Sequence, residues 1–288
     1  MARINFYGGV GTVTGSKYLL ESDRGRVLVD CGLFQGPREL RERNWQDPPF
    51  DPRVLDAVII THAHIDHTGY LPRLVKLGYS GPVFTSRATA DLLRILLPDS
   101  GRLQEEEADY RNRHDLTRHS PALPLYDEAD ARRALELLMP VENNAQPVEI
   151  CNGYKASFAV AGHIVGASLV LVTIENAGGS AHPVRPLAPL GRRRASANPP
   201  QAGGGPEPSV SEHEKGRRPI RFLFSGDLGH YDQPILNDPA APADCDYLMV
   251  ESTYGNRLHG EISAADQMAR IINEAAEQGG PILIPAFA

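Results

Sequence analysis

The sequence predicts an α/β fold in one or two domains, and three observations support this prediction. The chain of 288 residues is 41% hydrophobic and 23% charged, so it is long and apolar enough to bury a large core. Short apolar runs typical of strands recur along it. Segments with the 3.6-residue period of amphipathic helices lie between these runs. We therefore expect a sheet interleaved with helices.

The opening third of the chain predicts strands. Four short apolar runs separated by turns lie at residues 4–7, 17–20, 26–30 and 57–60. The glycines between residues 9 and 15 miss the GxGxxG spacing of dinucleotide sites, and a strand rather than a helix follows them. A tight hairpin is therefore expected between the first two strands.

Helical and further strand patterns follow this opening. Helices are predicted at residues 68–77, 87–97 and 127–138, with Asp127 as a cap of the third. Strands are predicted at residues 156–161, 168–174, 220–224 and 247–250. Last come an amphipathic helix at residues 263–278 and a strand at residues 281–285.

The segment at residues 176–218 differs in composition from the rest of the chain. Gly, Pro, Ala, Ser and Arg dominate it, so it has almost nothing to bury. We expect a disordered insertion or a long surface loop between two strands. A solvated segment is favoured over the alternative, in which its arginines contact a polyanion.

Charge and cysteine content narrow the function classes. The net charge of −7 argues against nonspecific nucleic-acid binding, which needs a basic surface. The sequence contains neither an 18-residue apolar run nor a secretory signal, so we expect a cytoplasmic protein without a membrane partner. Cys31, Cys151 and Cys245 form no CxxC pair, so a metal would have to be held by histidine and carboxylate side chains.

Residues 57–67 form an apolar strand that runs into a loop with three histidines and an aspartate. In an extended turn, His62 and His64 can point the same way, while Asp66 and His67 lie across from them and can serve a second ion. Two neighbouring metal sites are therefore predicted. The alternative is a hydrogen-bonded cluster without metal.

Two further candidates also follow predicted strands. His163 comes after residues 156–161, and Asp227 comes after residues 220–224. If these strands share a sheet, His163 joins His62 and His64 on one ion and Asp227 can bridge both ions. A water shared by two such ions loses a proton near neutral pH and attacks phosphorus or a carbonyl carbon. Asp30 is a candidate for orienting a histidine ligand, with a turn or capping role as the alternative.

These residues resemble the metallo-β-lactamase superfamily and, within it, the β-CASP nucleases. The resemblance rests on GTVTGS at 11–16, VDCGLFQG at 29–36, THAHIDHTGYLP at 61–72, AGH at 161–163, SGDLG at 225–229 and ESTYG at 251–255. It implies an αββα sandwich over residues 1–250, interrupted at 176–218, and the start of a β-CASP domain over residues 251–288. In the family the chain continues further and completes both domains, so the sandwich is expected to be incomplete here.

The resemblance also assigns roles to residues. His62, His64 and His163 would hold one zinc ion, while Asp66 and His67 would hold the other, with Asp227 bridging. Asp66 and Glu251 are expected to be catalytic, and Glu251 would support a general-acid histidine. In the family, that histidine and one more ligand of the second zinc come from further along the chain. Two zinc ions are expected, with manganese or iron as alternatives.

The leading functional hypothesis is a zinc-dependent phosphodiesterase, a ribonuclease that cleaves RNA by a metal-bridged hydroxide. The motif ESTYG favours it. One alternative is a small-molecule hydrolase of the thioesterase or lactonase type, and another is an inactive RNA-binding fragment. Retention of all six proposed ligands speaks against the inactive fragment, although the 288-residue chain by itself is expected to be weakly active or inactive. The sequence leaves open the oligomeric state and the choice between endonuclease and exonuclease action.

Overall fold

The computed structural model describes residues 2–117, 119–144, 146–175, 218–258 and 262–284. They belong to two compact units, Met1–Glu251 and Ser252–Ala288. The predicted insertion lies outside the described residues apart from Arg218, and the predicted domain boundary at residue 250 stays a prediction. No helix in the described ranges is long and apolar enough to cross a membrane.

The first sheet of the larger unit has six strands in sequence order. These are β1 (Arg3–Gly8), β2 (Lys17–Ser22), β3 (Gly25–Val29), β4 (Ala57–Ile59), β5 (Val83–Ser86) and β6 (Leu138–Val141). Strands β1 to β3 pair antiparallel, and β3 to β6 pair parallel. The carboxyl ends of β3 and β4 therefore lie at the same edge of the sheet. Residues 9–16 join β1 to β2, a longer connection than the tight hairpin expected.

The second sheet has five strands in the order β11-β10-β9-β8-β7. They are β7 (Val148–Cys151), β8 (Tyr154–Val160), β9 (Ser168–Ile174), β10 (Ile220–Phe224) and β11 (Tyr247–Met249). Strands β7 to β10 pair antiparallel, whereas β10 and β11 pair parallel. The loops after β8 and β10 consequently leave the same edge of this sheet.

Six α-helices complete the described structure. They are α1 (Arg38–Arg41), α2 (Ile65–Thr68), α3 (Leu71–Lys76), α4 (Arg87–Arg113), α5 (Glu128–Leu135) and α6 (Ala264–Gln278), with 3-10 turns at Glu42–Trp45 and Pro52–Val54. The smaller unit contains α6, where the Ser263 hydroxyl accepts the Asp266 N–H at 3.1 Å as an N-cap. The predicted helix at residues 263–278 is thereby confirmed.

The side-chain alternation of the first sheet produces two cores. Val27, Val29 and Ile59 are fully buried against residues of the second sheet, among them Phe158 and Val172. Neighbouring positions point the other way and pack under α3, α4 and α5, as Leu28, Val58 and Ile60 do. The first sheet is therefore covered on both faces, by a second sheet and by helices, and the predicted α/β sandwich class is confirmed.

Several predicted helix boundaries are wrong. Helix α4 does not end before Pro98 but continues to Arg113. Although Pro98 removes one backbone hydrogen bond, Gly101 and Ala108 beyond it are buried, and a Cβ atom at Gly101 would meet the Asp127 backbone at 2.8 Å. Packing against the start of α5 therefore outweighs the local effect of the proline. The segment predicted as one helix at 68–77 is divided into α2 and α3 near Gly69.

Some strand predictions were wrong, although the three-residue strands β4 and β11 were predicted. Strands β5, β6 and β7 have four residues each and were not predicted. Residues 138–141 form β6, so the predicted helix at 127–138 ends at Leu135 instead. The predicted strand at 281–285 is wrong over its described residues 281–284, which are irregular and where Leu283 is 88% exposed.

Asp130 gives a testable link between α5 and α3. The Asp127 carboxylate accepts the Asp130 N–H at 2.6 Å, and the Asp130 carboxylate accepts the Asp127 N–H at 3.2 Å and an ammonium N–H of Lys76 at 2.8 Å. Burial raises the pKa of Asp130, but Lys76, the Asp127 N–H and Arg133 outweigh burial and lower it. Because the folded pKa is depressed, this stabilisation is present above about pH 4 and is lost as the pH falls below that value.

We expect Asp130→Ala to lower the free energy of unfolding by about 1–2 kcal/mol at pH 7. The deficit relative to the unmodified chain should shrink as the pH falls below about 4 and through the depressed folded pKa of Asp130, because the carboxylate then becomes protonated in both states. Urea unfolding across this pH range measures it. The exposed Asp109→Ala serves as control, and a deficit independent of pH would contradict the ionic explanation.

Candidate metal centre

The loop that follows β4 brings the three motif histidines to the edge where the parallel strands end. Residues 60–64 are irregular, and α2 begins at Ile65, so Asp66 and His67 lie on its first turn. His62 is fully buried and His67 is nearly so, while His64 is partly exposed. The Thr61 hydroxyl lies 3.0 Å from Nδ1 of His62, which leaves Nε2 of this ring directed away from the strand.

Four side chains from three loops meet at one point. Nδ1 of His64 lies 3.1 Å from Nε2 of His62 and 3.2 Å from Nε2 of His163. Oδ2 of Asp227 lies 3.6 Å from Nε2 of His62 and 3.5 Å from Nε2 of His163. All four candidate ligand atoms lie within 4.8 Å of one another. Three imidazole nitrogens and one carboxylate oxygen around a common point are a donor set that suits zinc.

The other oxygen of Asp227 faces a second group. Oδ1 of Asp227 lies 3.2 Å from Nε2 of His67, and Oδ2 of Asp66 lies 3.9 Å from the same nitrogen. The two oxygens of one carboxylate are thus divided between the two histidine groups. This arrangement is compatible with the bridging role predicted for Asp227.

Asp30 connects the loop that follows β4 to β3. It has a left-handed backbone conformation (φ 58°) directly after the strand, and its carboxylate is buried. Oδ1 accepts the Thr61 N–H at 2.8 Å, while Oδ2 accepts the Thr61 hydroxyl at 3.0 Å and lies 2.7 Å from Nδ1 of His67. Asp30 therefore occupies a turn position and also orients His67, so the two roles left open by the sequence are combined.

The charges of the centre are arranged to receive a cation. Burial lowers the pKa of His62 to about 4, so this ring is neutral at pH 7 with a free lone pair. Burial also acts to lower the pKa of His67, but Asp30 and Asp227 outweigh it and raise the pKa to about 10. The pKa of Asp227 is lowered by His62 and His67 despite its burial. At pH 7 the protonated ring of His67 therefore balances negative charge of Asp30 and Asp227, as a bound cation would.

Close backbone approaches fix the loops that carry His163 and Asp227. Gly162 (φ 72°) lies where a Cβ atom would meet the carbonyl oxygen of Asn237 at 2.9 Å, and the Gly229 N–H donates to the Ala161 carbonyl at 2.9 Å. Gly226 (φ 53°) abuts the Thr61 side chain, where a Cβ atom would come within 2.9 Å. Glycine is required at these positive-φ positions because a side chain has neither room nor a favoured conformation there.

Gly166 anchors the same His163 loop to α4. Its carbonyl oxygen accepts hydrogen bonds from the hydroxyls of Ser86, Thr89 and Ser168 at 2.6, 3.0 and 3.0 Å. The Ser168 N–H in turn donates to the Thr61 carbonyl at 2.9 Å. The loops of the two sheets are therefore joined next to the site, which the strand patterns in the sequence do not indicate.

Glu251 lies beside Asp227 in this structure. Its Oε1 accepts the Leu228 N–H at 2.8 Å, and its own N–H donates to the Ser225 hydroxyl at 3.1 Å. It therefore holds the residues on either side of the Gly226-Asp227 turn. Its predicted support of a general-acid histidine stays a prediction.

Sequence reasoning missed Thr61 and Ser16. The Thr61 hydroxyl contacts both Asp30 and His62, and the Ser16 hydroxyl lies 3.5 Å from Nε2 of His67. Thr61 directly precedes His62, and this adjacency could have indicated its role from the sequence. Ser16 lies 51 positions from His67, so only the fold shows the contact.

Comparisons with known proteins match this chain to a family model, to curated relatives and to solved structures. Residues 10–79 match the family model described as the metallo-beta-lactamase superfamily. The chain is 32% identical over 287 residues to ribonuclease TTHA0252 of Thermus thermophilus, covering 99% of this chain and 52% of that protein. It is 25% identical to transcription termination factor FttA of Methanocaldococcus jannaschii, covering 99% of this chain and 37% of that protein.

One further relative and one solved structure also match this chain. Cleavage and polyadenylation specificity factor subunit 3-I of Arabidopsis thaliana is 27% identical, with 97% of this chain and 32% of that protein covered. The chain thus spans about half or less of the length of these curated relatives. A solved B3 metallo-beta-lactamase with an active-site glutamic acid is 17% identical with a TM-score of 0.37, covering 78% of this chain and 64% of that one.

Proposed function

Because this chain belongs to the metallo-β-lactamase superfamily and to its β-CASP branch, we propose that it is a two-metal hydrolase that cleaves phosphodiester bonds in RNA. The observation that carries the proposal is the convergence of His62, His64, His163 and Asp227 within 4.8 Å, with the second oxygen of Asp227 turned toward His67. Three imidazole nitrogens and a carboxylate oxygen around one point form a donor set found in zinc sites.

The donor atoms fit two divalent cations. His62, His64 and His163 would hold one, Asp66 and His67 would hold the other, and Asp227 would be shared. Two such cations lower the pKa of a coordinated water and neutralise charge on a phosphate during hydrolysis. We propose zinc for both positions because histidine nitrogen and carboxylate oxygen are common zinc ligands. Metal analysis distinguishes zinc from manganese or iron.

The chain's own side chains prepare this site in two ways. Asp30 fixes the ring of His67 through Nδ1, so that Nε2 faces Asp227. The Thr61 hydroxyl lies beside Nδ1 of His62, so that Nε2 of this ring faces His64. We propose a catalytic role for Asp66 because its carboxylate lies near His67. Burial raises the pKa of Asp66, and the nearby carboxylate of Asp227 raises it further. A bound cation would favour the ionised form of Asp66.

RNA is proposed as the substrate from the printed names of the relatives, which are a ribonuclease, a transcription termination factor and a cleavage and polyadenylation factor subunit. The net charge of −7 means that recognition must come from local contacts at the site and not from the overall field of the protein. A cytoplasmic location accords with this substrate. The thioesterase or lactonase alternative has no relative among those reported above.

We expect the purified chain to bind about two equivalents of zinc. Hydrolysis by this chain, which is expected to be weak at most, should act on an end-labelled single-stranded RNA and leave a thioester substrate intact. The His64→Ala variant should lose cleavage because it removes the nitrogen shared between His62 and His163. Cleavage that persists in that variant would identify a contaminant. Absence of bound metal from the unmodified chain, or hydrolysis of the thioester alone, would overturn the proposal.

A further inference from the structure

A lysine is buried next to the candidate metal centre without a carboxylate partner in the described part of the chain. Lys17, the first residue of β2, is only 5% exposed. Its ammonium hydrogen-bonds the carbonyl oxygen of Gly32 and lies 3.4 Å from that of Gly15. The rings of Phe34 and Tyr70 face it, with centroids 4.8 and 4.6 Å from Nζ. Backbone carbonyls and aromatic ring faces, both of which attract a cation, thus surround the ammonium in place of a carboxylate.

An ammonium in such surroundings has a cost that its contacts must offset. Burial lowers the pKa of Lys17 to about 8, so the protonated form still predominates at pH 7. A methionine of similar length would fill the space without a charge to desolvate. It would leave the buried Gly32 carbonyl without the donor that lysine supplies. The lysine therefore does more than occupy volume.

The two carbonyls belong to loops that hold the motif residues Asp66 and His67 in place. The Ser16 N–H, next to Gly15, donates to the Asp66 carbonyl at 2.9 Å. The Gly32 N–H donates to the Ser16 carbonyl at 3.0 Å, and a Cβ atom at Gly32 would overlap the Asp66 carbonyl oxygen. Lys17 thus joins two loops at the point where both contact the backbone of Asp66.

The same loops reach His67 and the start of α2. The Cys31 N–H donates to the His67 carbonyl at 2.7 Å, and the Leu33 N–H donates to the Ile65 carbonyl at 3.0 Å. Among the described contacts, all backbone hydrogen bonds from outside the motif to residues 65–67 therefore come from the two loops that Lys17 joins. Loss of the ammonium would loosen this segment first.

The other half of the centre is held by different contacts. Gly166 and Gly229 fix the loop of His163, while Thr61 contacts His62 and donates to Asp30. None of these hydrogen bonds involves Lys17 or either carbonyl that it binds. The structure therefore predicts an asymmetric effect, in which Lys17 serves the Asp66–His67 side and not the His62–His64–His163 side.

We propose that Lys17 is a positioning residue for the second cation site, the one formed by Asp66 and His67 with Asp227 shared, and that it acts through the Gly15 and Gly32 carbonyls. The proposal rests on the two-metal function proposed above. It predicts that removing the ammonium weakens one of two cation sites and leaves the other intact.

The test compares zinc binding by the unmodified chain, Lys17→Met and the surface control Lys155→Met, whose lysine pairs with Glu175. Zinc titration and the absorption spectrum of the cobalt-loaded proteins report each site without an activity assay. We expect the unmodified chain and Lys155→Met to bind both cations. In Lys17→Met, one cation should bind with unchanged affinity and the other about 10- to 100-fold more weakly.

Lys17→Gln provides a second variant, because an amide N–H can still donate to one carbonyl, and its second site should be intermediate in affinity. Equal binding of both cations by Lys17→Met and the unmodified chain would overturn this inference alone. An unmodified chain that binds no second cation would instead overturn the proposed function. Failure of both Lys17 variants to fold would also overturn the inference, since Lys17 would then support the whole fold and not one site.

Discussion

Replacing Asp227 by alanine is expected to abolish RNA cleavage and to disturb both cation sites at once. Its two oxygens lie 3.6 Å from His62 and 3.2 Å from His67, so one side chain serves both histidine groups. We expect a loss of about 10³-fold or more in the cleavage rate, since removal of a single charge-stabilising group already costs about 10²- to 10³-fold. Zinc analysis should show weaker binding of both cations.

Asp244→Ala is the matched control because Asp244 is an exposed carboxylate on the same connection between β10 and β11. It should cleave RNA and bind metal as the unmodified chain does. The Asp227→Asn variant keeps the shape of the side chain but not its charge, and should stay close to alanine in activity. Two cations bound at normal affinity by Asp227→Ala would contradict a shared carboxylate.

Asp30→Ala is expected to produce the largest loss of stability among the residues near the site. The change leaves the His67 ring and the Thr61 hydroxyl without their buried acceptor. Breaking a buried charged pair by removal of one partner typically costs about 3–5 kcal/mol, and we expect the metal-free chain to lose a comparable amount. Urea unfolding with a chelator present measures this loss.

The same substitution should also weaken metal binding. A group that orients a histidine ligand typically contributes about 10- to 100-fold in affinity, so Asp30→Ala should lose affinity mainly at the His67 side. Asp30→Asn retains an acceptor for the Thr61 N–H and should fall between alanine and the unmodified chain. If Asp30→Ala unfolds at the same urea concentration as the exposed Asp109→Ala, the buried network does not contribute as described.

Long strands and strongly amphipathic helices were predictable from the sequence because their side chains alternate between two environments. Strand Ser168–Ile174 and the Ser263-capped helix α6 were predicted with boundaries that the structure confirms or nearly so. The four-residue strands β5 to β7 were missed because polar residues or a proline interrupt their apolar residues, whereas the three-residue strands β4 and β11 lie in uninterrupted apolar runs and were predicted. The predicted helix ended before Pro98, whereas α4 continues to Arg113, because local propensity carries no information on its packing against α5.

The candidate site was predictable for a different reason. Its side chains lie on the loops and the short helix that follow β4, β8 and β10. These strands were expected to share a sheet, whereas β4 belongs to the first sheet and β8 and β10 to the second, and the ends of the two sheets meet at the site. The supporting contacts were not predictable in this way. Lys17, Thr61 and Gly166 act through carbonyls and hydroxyls of distant loops, and these pairings depend on backbone positions that only the folded chain defines.

The crossing of the Gly32 loop over Asp66 limits how this centre can be re-engineered. A randomised library at position 32 should return glycine almost alone, since any β-carbon would displace the helix that carries two of the candidate ligands. Directed evolution toward another metal or substrate would therefore have to proceed through positions such as Val13 and Val165, whose side chains are 73% and 56% exposed on the loops that carry Ser16 and His163.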